Sequence, residues 1–416
     1  MQAVVAIPGL ETFRGYGDPA EVLMQEVAGV PLLVRVIATA ARAGVDPVLI
    51  IWPEDVDPAI LGPYAGSSLF KNIHVDTVVR PIAFDPRSAA DWEAIAAHLE
   101  DQFLWLPWNW VTHKRTLTKL SSRSVWPPNW ERPAKLEKGA EILLADVPIG
   151  LSSQADGVRV TSRDTVRMAE QFLVANSGKP LDGIYSSFNR RLCRPLVRLL
   201  AHTQVTPNML TFGGLMVALF SGILFARGSY FNYVGGALLF FVSGLFDEMD
   251  GMVARIKFRE SALGTWLEGF VDNVTYLIIF AGITRGLHRQ YGSWALKYGI
   301  ALTIGCILSV IVISLQRKLS TPPDRPHEYA GKMNQLLEAD SSSPVSRIVR
   351  QIHIFVKKGV LVHYVLIFTL MGGLPLFLWL AALGSNLTWI LGLYFTRKFF
   401  LRPSLETAAE DIQIAA

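Results

Sequence analysis

The chain contains few cysteines and few charged side chains. Its 416 residues include only two cysteines, Cys193 and Cys306, which excludes a disulfide framework and leaves no cysteine spacing typical of a metal site. Charged residues make up 18% of the chain, and the formal net charge of +4 fits basic loops at a membrane surface better than nucleic-acid binding. Met1 leads directly into the apolar run at 4–7, without the basic segment of a signal peptide. We therefore expect no nucleic-acid partner and a reducing, cytoplasmic setting for the soluble part.

Long hydrophobic runs are absent from the first half of the chain and frequent in the second half. Hydrophobic residues make up 51% of the chain, and the mean hydropathy of +0.32 is high for a soluble protein. A helix needs about 20 mostly apolar residues to cross about 30 Å of hydrocarbon. The predicted membrane spans lie at 209–226, 230–246, 263–284, 296–315, 360–381 and 386–396. The sequence therefore predicts an all-α membrane domain of six transmembrane helices.

Basic residues are distributed unevenly around these predicted spans. Arginines precede the first span at 190–198, and Arg and Lys residues follow the second span at 255–259 and the fourth span at 317–358. Loops on the cytoplasmic side of a membrane carry an excess of Lys and Arg, and only a smaller basic group at 285–297 falls on the opposite side. This pattern predicts a protein of the cytoplasmic (inner) membrane whose amino-terminal domain and acidic residues face the cytoplasm.

The first 175 residues alternate between strand-like and helix-like segments. Strands are predicted at 3–7, 47–52 and 73–78, and helices at 30–43 and 89–99. Strands that alternate with helices favour a largely parallel sheet. The amino-terminal part is therefore predicted to be an α/β domain with a mostly parallel sheet.

A basic amphipathic segment separates this domain from the first span. Between 182 and 200, apolar residues alternate with arginines, which predicts an interfacial helix on the membrane surface. The predicted domains are an α/β domain at 1–175, a juxtamembrane helix at 176–205, a membrane domain at 206–403 and a tail at 404–416.

Four carboxylates lie at the end of the second predicted span and the start of the third. Asp247 and Asp250 are three residues apart, and Glu268 and Asp272 are four apart, so each pair occupies one helix face. Acids at this depth are costly without a partner charge, a metal ion or water. Four carboxylates packed together would repel one another, and oxygen ligands suit Mg²⁺, Mn²⁺ or Ca²⁺ better than zinc. The spacing therefore predicts a divalent metal site.

Small residues and one arginine accompany these acids. Gly251, Ala254 and Gly264 would let helix backbones approach closely or admit a flat ligand. Arg255 would neutralise a phosphate in the same gap. These four residues are predicted to contact the substrate. The alternative interpretation is that the acids are ordinary helix-end residues that balance the basic side chains at 255–259.

Together these residues resemble the signature of the CDP-alcohol phosphotransferases, Asp-x2-Asp-Gly-x2-Ala-Arg-x8-Gly-x3-acid-x3-Asp. Members of that family are integral membrane proteins, commonly homodimers, that move a substituted phosphate from a CDP-alcohol to an acceptor hydroxyl and release CMP. The resemblance implies that Asp247, Asp250 and Glu268 hold Mg²⁺ or Mn²⁺, with Asp272 at the same metal site as the general base. The family's third acid is normally Asp, so Glu268 predicts an altered metal site.

The amino-terminal domain resembles the sugar-nucleotidyltransferase-like fold through the runs at 25–33 and 40–45. In the active enzymes a glycine-rich loop cradles a triphosphate, a Lys precedes the Gly-x-Pro-Leu turn, and an Asp on a later strand holds the metal. Here the loop at 8–14 lacks Gly-x-Gly, the expected Lys falls near Val22, and the segment 103–110 has no acid. The domain is therefore predicted to be inactive, with a scaffolding or substrate-presenting role. The order of the two domains resembles fusions of inositol-phosphate cytidylyltransferase with phosphotransferase.

The polar segment at 316–358 is predicted to be a cytoplasmic loop. Its basic residues, Lys357 and Lys358 among them, would bind a polyol-phosphate acceptor or, equally, lipid headgroups. The tripeptide at 113–115 is interpreted as a solvated turn.

Three functions fit the sequence. The leading one is a CDP-alcohol phosphotransferase of phospholipid or polyol-phosphate synthesis, which uses CDP-diacylglycerol or a soluble donor. The second is a catalytically weakened membrane protein that assembles or regulates such a pathway. The third is an ion-coupled transporter, which would be expected to have repeated, broken helices, and no such repeat is visible.

Overall fold

The structure is a computed structural model. It describes residues 1–14, 17–67, 69–70, 73–100, 102–120, 141–144, 156–178, 183–322, 329–340, 343, 345–346, 349 and 358–401. The chain divides into two compact units. The amino-terminal unit comprises Met1–Pro180, Arg191–Pro207 and Gly251–Ser261, and the helical unit comprises Leu181–Arg190, Asn208–Asp250 and Ala262–Ala416.

A five-stranded parallel sheet forms the centre of the amino-terminal unit. The strands are β1 (Gln2–Ala6), β2 (Glu26–Val27), β3 (Val30–Pro31), β4 (Val48–Pro53), β5 (Val75–Arg80), β6 (Gln102–Trp105), β7 (Trp110–Thr112), β8 (Glu141–Leu144) and β9 (Gly157–Arg159). The order in the main sheet is β5-β4-β1-β6-β8, and every neighbouring pair is parallel. Because β1 and β4 are buried on both faces, their sequences are continuous apolar runs. The predicted parallel α/β sheet is confirmed.

Helices and two short antiparallel pairs complete this unit. Its helices are α1 (Leu10–Phe13), α2 (Pro19–Leu23), α3 (Leu32–Arg42), α4 (Gly62–Ala65), α5 (Ala89–Ile95), α6 (Lys114–Leu120) and α7 (Arg163–Ala175), followed by α8 (Ile184–Ala201), which begins in the helical unit. The predicted start of α3 at Val30 is two residues early, because Val30 and Pro31 pair with β2 in a hairpin. Gly29 forms the turn of that hairpin at φ +74°, a conformation that L side chains rarely adopt.

One fully buried arginine fixes the end of a long helix within the amino-terminal unit. Arg35 of α3 donates from Nε to Val27 O at 3.1 Å and from Nη1 to Ile256 O at 3.0 Å, and it is 1% exposed. Its guanidinium also lies 5.1 Å from the ring centroid of Phe258. Burial lowers the pKa of Arg35 to about 9. Arg35 therefore supplies the donors that the last turn of this helix cannot find within itself.

We expect Arg35→Met to destabilise the amino-terminal unit by about 2–4 kcal/mol, because it leaves buried carbonyls without a donor. The substitution also removes the desolvation cost of the buried charge, but this gain offsets only part of the loss. The measurement is the thermal unfolding midpoint of the full-length protein in detergent. Arg87→Met, at an exposed position, is the matched control. An equal midpoint for the two variants would contradict the anchoring role.

The helical unit consists of long apolar helices. They are α9 (Pro207–Arg227), α10 (Tyr230–Ile256, whose last turn belongs to the amino-terminal unit), α11 (Ala262–Tyr291), α12 (Ser293–Ser320), α13 (Tyr329–Ala339), α14 (Lys358–Leu370) and α15 (Leu374–Thr396). Among the described residues, four segments are long and apolar enough to cross a membrane, namely Pro207–Arg227, Ala262–Tyr291, Ser293–Ser320 and Leu374–Phe400. The predicted helical membrane domain agrees with this finding, whereas the count of six spans is not confirmed.

The predicted boundary between the last two spans is wrong. The prediction placed a break at 382–385, but α15 is continuous through that region, and the chain turns at Gly372 instead, where φ is +69°. The polar residues at and beside the predicted break form hydrogen bonds inside the helix bundle. Asn386 donates to Ala301 O at 2.9 Å, and Ser309 donates to Ser385 O at 3.1 Å. Hydrogen bonds to a neighbouring helix thus permit polar residues in the middle of an apolar helix.

Glycines set the distance between α9 and α11. A Cβ at Gly282 would overlap the Gly222 carbonyl, and a Cβ at Gly286 would overlap the Phe225 carbonyl. Close backbone approach at small residues is how membrane helices gain packing energy. This approach holds α11, which carries Asp272, against α9.

Candidate functional site

Three of the four predicted carboxylates line one cavity within the helical unit. Asp247 and Asp250 of α10 and Asp272 of α11 are all part of its lining, together with Glu248. The cavity holds about 540 Å³ of empty space, including its open mouth. We call it the acid cavity. The structure thus brings together residues up to 25 positions apart in the sequence, on two separate helices.

Asp250 is the most deeply buried of these acids. Its side chain is 4% exposed, and its Oδ2 accepts a hydrogen bond from the Thr211 hydroxyl at 2.6 Å. Thr211 lies in the first turns of α9, so this bond joins α9 to α10. A hydrogen bond to an ionised carboxylate is short and strong and fixes its orientation. Thr211 therefore positions Asp250, a contact that the sequence pattern does not reveal.

An ion pair lies beside the acids. Arg190 Nε donates to Glu248 Oε2 at 2.7 Å, and the two side chains are only 9% and 11% exposed. Asn189 also lines the cavity, and its buried Oδ1 accepts no hydrogen bond from the described residues. In the sequence, Arg190 appeared only as part of the predicted amphipathic helix, and Glu248 appeared only as a spacer residue in the acidic motif. The fold places them at the site.

The remaining predicted acid lies elsewhere. Glu268 is partly exposed and is not among the described residues that line the acid cavity. Gly264, one helical turn before it, is also outside that lining. The metal-ligand role of Glu268 and the substrate role of Gly264 remain predictions.

The end of α10 belongs to the amino-terminal unit. The guanidinium of Arg255 lies over Gly251, where a Cβ would stand 3.2 Å from Nη1, and its Nε donates to Ser177 O. Neither residue, nor Ala254, is among the described lining of the acid cavity. Lys357 lies outside the described residues, and Lys358 begins α14 with a side chain that is not described.

The acid cavity has the right donor atoms for a hard divalent cation, but not a finished ligand shell. Three or more carboxylates on one cavity are the oxygen ligands that Mg²⁺ and Mn²⁺ prefer. Within the part of the chain that the structure describes, no three His, Cys, Asp or Glu side chains converge closely enough to hold a metal ion. The carboxylate oxygens are suitable ligands for a divalent cation, and the binding of Mg²⁺ or Mn²⁺ remains a prediction.

A larger apolar cavity lies next to the acid cavity in the same unit. It holds about 1810 Å³ of empty space and is lined by side chains of α11, α12, α14 and α15. Tyr276 of α11 lines both cavities. The polar site therefore lies beside an apolar cavity that suits lipid tails.

Comparisons with known proteins agree with this site. Residues 204–339 match the family model described as CDP-alcohol phosphatidyltransferase, and Asp247, Asp250 and Asp272 all fall within the matched region. The chain is similar to archaetidylinositol phosphate synthase of Methanothermobacter thermautotrophicus, with 35% identity over 97 residues, which cover 23% of this chain and 47% of that protein.

Two further relatives each match about a third of the chain. The bifunctional IPC transferase and DIPP synthase of Aquifex aeolicus is 26% identical over 134 residues, or 32% of this chain and 30% of that protein. The phosphatidylinositol phosphate synthase of Corynebacterium glutamicum is 30% identical over 125 residues, or 30% of this chain and 54% of that protein. The chain thus spans about half or less of the length of these curated relatives. The family resemblance seen in the sequence is confirmed.

Proposed function

We propose that this chain, which belongs to the CDP-alcohol phosphatidyltransferase family through its residues 204–339, is an integral membrane phosphotransferase. It transfers a substituted phosphate from a CDP-alcohol to an acceptor hydroxyl and releases CMP. The observation that carries the proposal is the acid cavity, where Asp247, Asp250 and Asp272 line one space within the matched region.

Asp272 is proposed to be the general base. The acceptor oxygen attacks the phosphorus on the alcohol side of the pyrophosphate, the bond from that phosphorus to the CMP oxygen breaks, and the proton of the acceptor hydroxyl passes to Asp272. A carboxylate within hydrogen-bond reach of the attacking hydroxyl is suited to this step. Thr211 orients Asp250, and Asn189 Oδ1, which accepts no hydrogen bond from the described residues, would accept one from the substrate.

Asp247 and Asp250 are proposed to hold Mg²⁺ or Mn²⁺. Such a cation, when bound, neutralises the charge that develops on the leaving phosphate. The resemblance adds Glu268 and Asp272 to this ligand set. Removal of divalent cations by EDTA is therefore expected to abolish turnover, and added Mn²⁺ is expected to restore it.

The adjacent apolar cavity favours a donor with lipid chains. The apolar cavity would accept acyl or isoprenoid tails while the pyrophosphate lies in the acid cavity, because Tyr276 lines both. Two of the relatives are named as synthases of inositol phosphate lipids. We therefore propose a CDP-linked lipid as donor and a polyol phosphate as acceptor, with Lys357 and Lys358 as anion contacts.

The amino-terminal domain is proposed to be an inactive, nucleotidyltransferase-like scaffold that faces the cytoplasm with the active site. Homodimer formation, common in the family, is proposed for this chain as well. Within this unit, Arg35 anchors the last turn of α10 through its hydrogen bond to Ile256 O.

The test is CMP release by the full-length protein in detergent with Mg²⁺ or Mn²⁺. CDP-diacylglycerol and CDP-inositol are each combined with a panel of polyol phosphates. CMP from the lipid donor alone would support the proposed substrate class. CMP from CDP-inositol alone would retain the transferase and reject the lipid donor, and no release from any pair would reject the transferase.

A catalytically weakened assembly or regulatory protein is the second candidate, because Glu268 departs from the family's Asp and lies outside the acid cavity lining. The Glu268→Asp variant distinguishes this candidate from the active transferase. Turnover that appears only in this variant would favour the weakened protein, and turnover in the unmodified chain would reject it.

A further inference from the structure

A second cavity lies entirely within the amino-terminal unit and is lined by positive charges. Its empty space, including the open solvent at its mouth, is about 490 Å³, and among the described residues it shares no lining side chain with the acid cavity. Its charged lining consists of Arg35, Arg42, Lys114, Arg255 and Glu260. Four cations thus face one carboxylate among the described lining residues. We call this space the cationic cavity.

The neutral polar groups of this cavity do not balance the cations. The hydroxyls of Thr39 and Ser177 already donate to backbone carbonyls, at 2.7 Å and 2.8 Å. His113 Nδ1 accepts the backbone N–H of Arg115 at 3.2 Å, which assigns the ring proton of a neutral imidazole to Nε2. Burial, followed by the charges of Arg115 and Lys114, lowers the pKa of His113 to about 4, so the ring is neutral at pH 7. The cavity therefore presents mainly hydrogen-bond donors.

The cations are held in place by the fold. Arg42 Nη2 donates to Phe258 O at 3.0 Å, and the Arg42 guanidinium lies 4.4 Å from the Phe258 ring centroid. Burial lowers the pKa of Arg42, and the charge of Glu260 raises it. Burial also lowers the pKa of Arg35, while Glu170 raises it and Arg42 lowers it. Arg35 and Arg42 lie two turns apart on one helix, so an anion that enters the cavity would reduce the repulsion between neighbouring cations. Lys114 is exposed and can follow a ligand in or out.

We propose that the cationic cavity binds the phosphate group of a phosphomonoester, held by Arg42, Lys114 and Arg255. A phosphomonoester carries a charge of about −1.5 to −2 at pH 7 and offers three acceptor oxygens, which matches a donor lining with several cations better than a carboxylate does. One Arg guanidinium group can donate hydrogen bonds to two such oxygens at the same time. Among the described residues this cavity shares no lining side chain with the acid cavity. Arg255 is also the signature arginine predicted to contact the transferase substrate, so the test below substitutes Lys114, which lies outside that signature.

The sequence alone pointed away from this site. The tripeptide at 113–115 was interpreted as a solvated turn, and Arg42 lies 213 positions before Arg255. The fold brings them together because β7 ends at Thr112, immediately before His113, and because the segment after α10 packs against α3.

The test measures binding of radiolabelled inorganic phosphate to the full-length protein in detergent, by equilibrium dialysis at constant ionic strength. EDTA is present throughout, so that no metal ion can bridge phosphate to the acid cavity. We expect one saturable site per chain. Lys114→Ala should weaken phosphate binding about tenfold, the effect of one lost charged hydrogen bond, and Lys114→Glu should abolish it.

Lys119→Ala is the matched control, because Lys119 lies on the same helix and does not line the cavity. Unchanged binding in the control supports the site. Absence of saturable binding, or equal binding by Lys114→Glu and the unmodified chain, would overturn the proposal.

Competition then identifies the source of the phosphate. Displacement of the bound phosphate by glycerol 3-phosphate in solution would assign a soluble sugar or polyol phosphate. Displacement only in nanodiscs that contain phosphatidic acid, and not in phosphatidylcholine nanodiscs, would assign a lipid headgroup. Displacement by neither would overturn the assignment to phosphomonoesters. The Asp272→Asn variant should bind phosphate normally, which distinguishes this site from the transferase site.

Discussion

Asp272→Asn is expected to lower the rate of CMP release by about a thousandfold or more while CDP-alcohol binding changes by less than about threefold. The substitution keeps the shape of the side chain but removes the proposed base for the acceptor's proton, and general-base catalysis contributes about 10²–10⁴-fold. The structure supports separate roles for these acids, because Asp272 lines the acid cavity from α11, whereas Asp247 and Asp250 line it from α10.

The measurement for this variant pairs single-turnover CMP release with binding of the CDP-alcohol to the same preparation. Glu338→Gln is the matched control, since it makes the same carboxylate-to-amide change at an exposed position of α13. A comparable loss of binding and rate in Asp272→Asn would assign Asp272 to substrate binding and reject its role as the base.

Asp250→Asn is expected to remove metal-dependent binding of the CDP-alcohol, with an affinity loss of about a hundredfold and no measurable turnover. A buried carboxylate replaced by an amide loses the charge that a divalent cation requires, while the volume is conserved. Binding is measured across a Mn²⁺ titration, and the expected signature is the disappearance of the Mn²⁺-dependent part of the affinity.

Thr211→Val is the companion to that experiment. It removes the hydroxyl that donates to Asp250 Oδ2 at 2.6 Å but leaves the carboxylate. Loss of an outer hydrogen bond typically weakens metal affinity about 10–100-fold. A shifted Mn²⁺ titration with turnover preserved at saturating Mn²⁺ would confirm that Thr211 acts through Asp250. An unchanged titration in both variants would contradict a metal role for Asp250.

Local sequence pattern was sufficient for the elements whose signal is periodic. The doubly buried strands β1 and β4 appear as continuous apolar runs, and the predicted first span at 209–226 lies within α9. Local pattern failed where a residue's partner is distant in the chain. A break was predicted at 382–385, but hydrogen bonds from Ser385 and Asn386 to α12 accompany a continuous α15.

At the candidate site, too, local pattern predicted some features and long-range packing decided others. The acidic spacing predicted that Asp247, Asp250 and Asp272 would converge, since helical periodicity places each set on one face. It did not predict that Glu268, one helical turn before Asp272, lies outside the described lining, because how far the cavity extends along α11 depends on how the helices pack.

The sequence by itself determined the class of this protein: a parallel α/β domain, a set of apolar helices, and an acidic signature that resembles that of the CDP-alcohol phosphotransferases. Those features depend on short-range periodicity and residue chemistry. Only the tertiary structure decided that Thr211 orients Asp250, that Arg35 anchors the end of α10, and that Arg42, Lys114 and Arg255 line one cationic cavity. Each of these depends on contacts between residues 39 or more positions apart, whose geometry is set by how helices and strands pack and not by the order of residues along the chain.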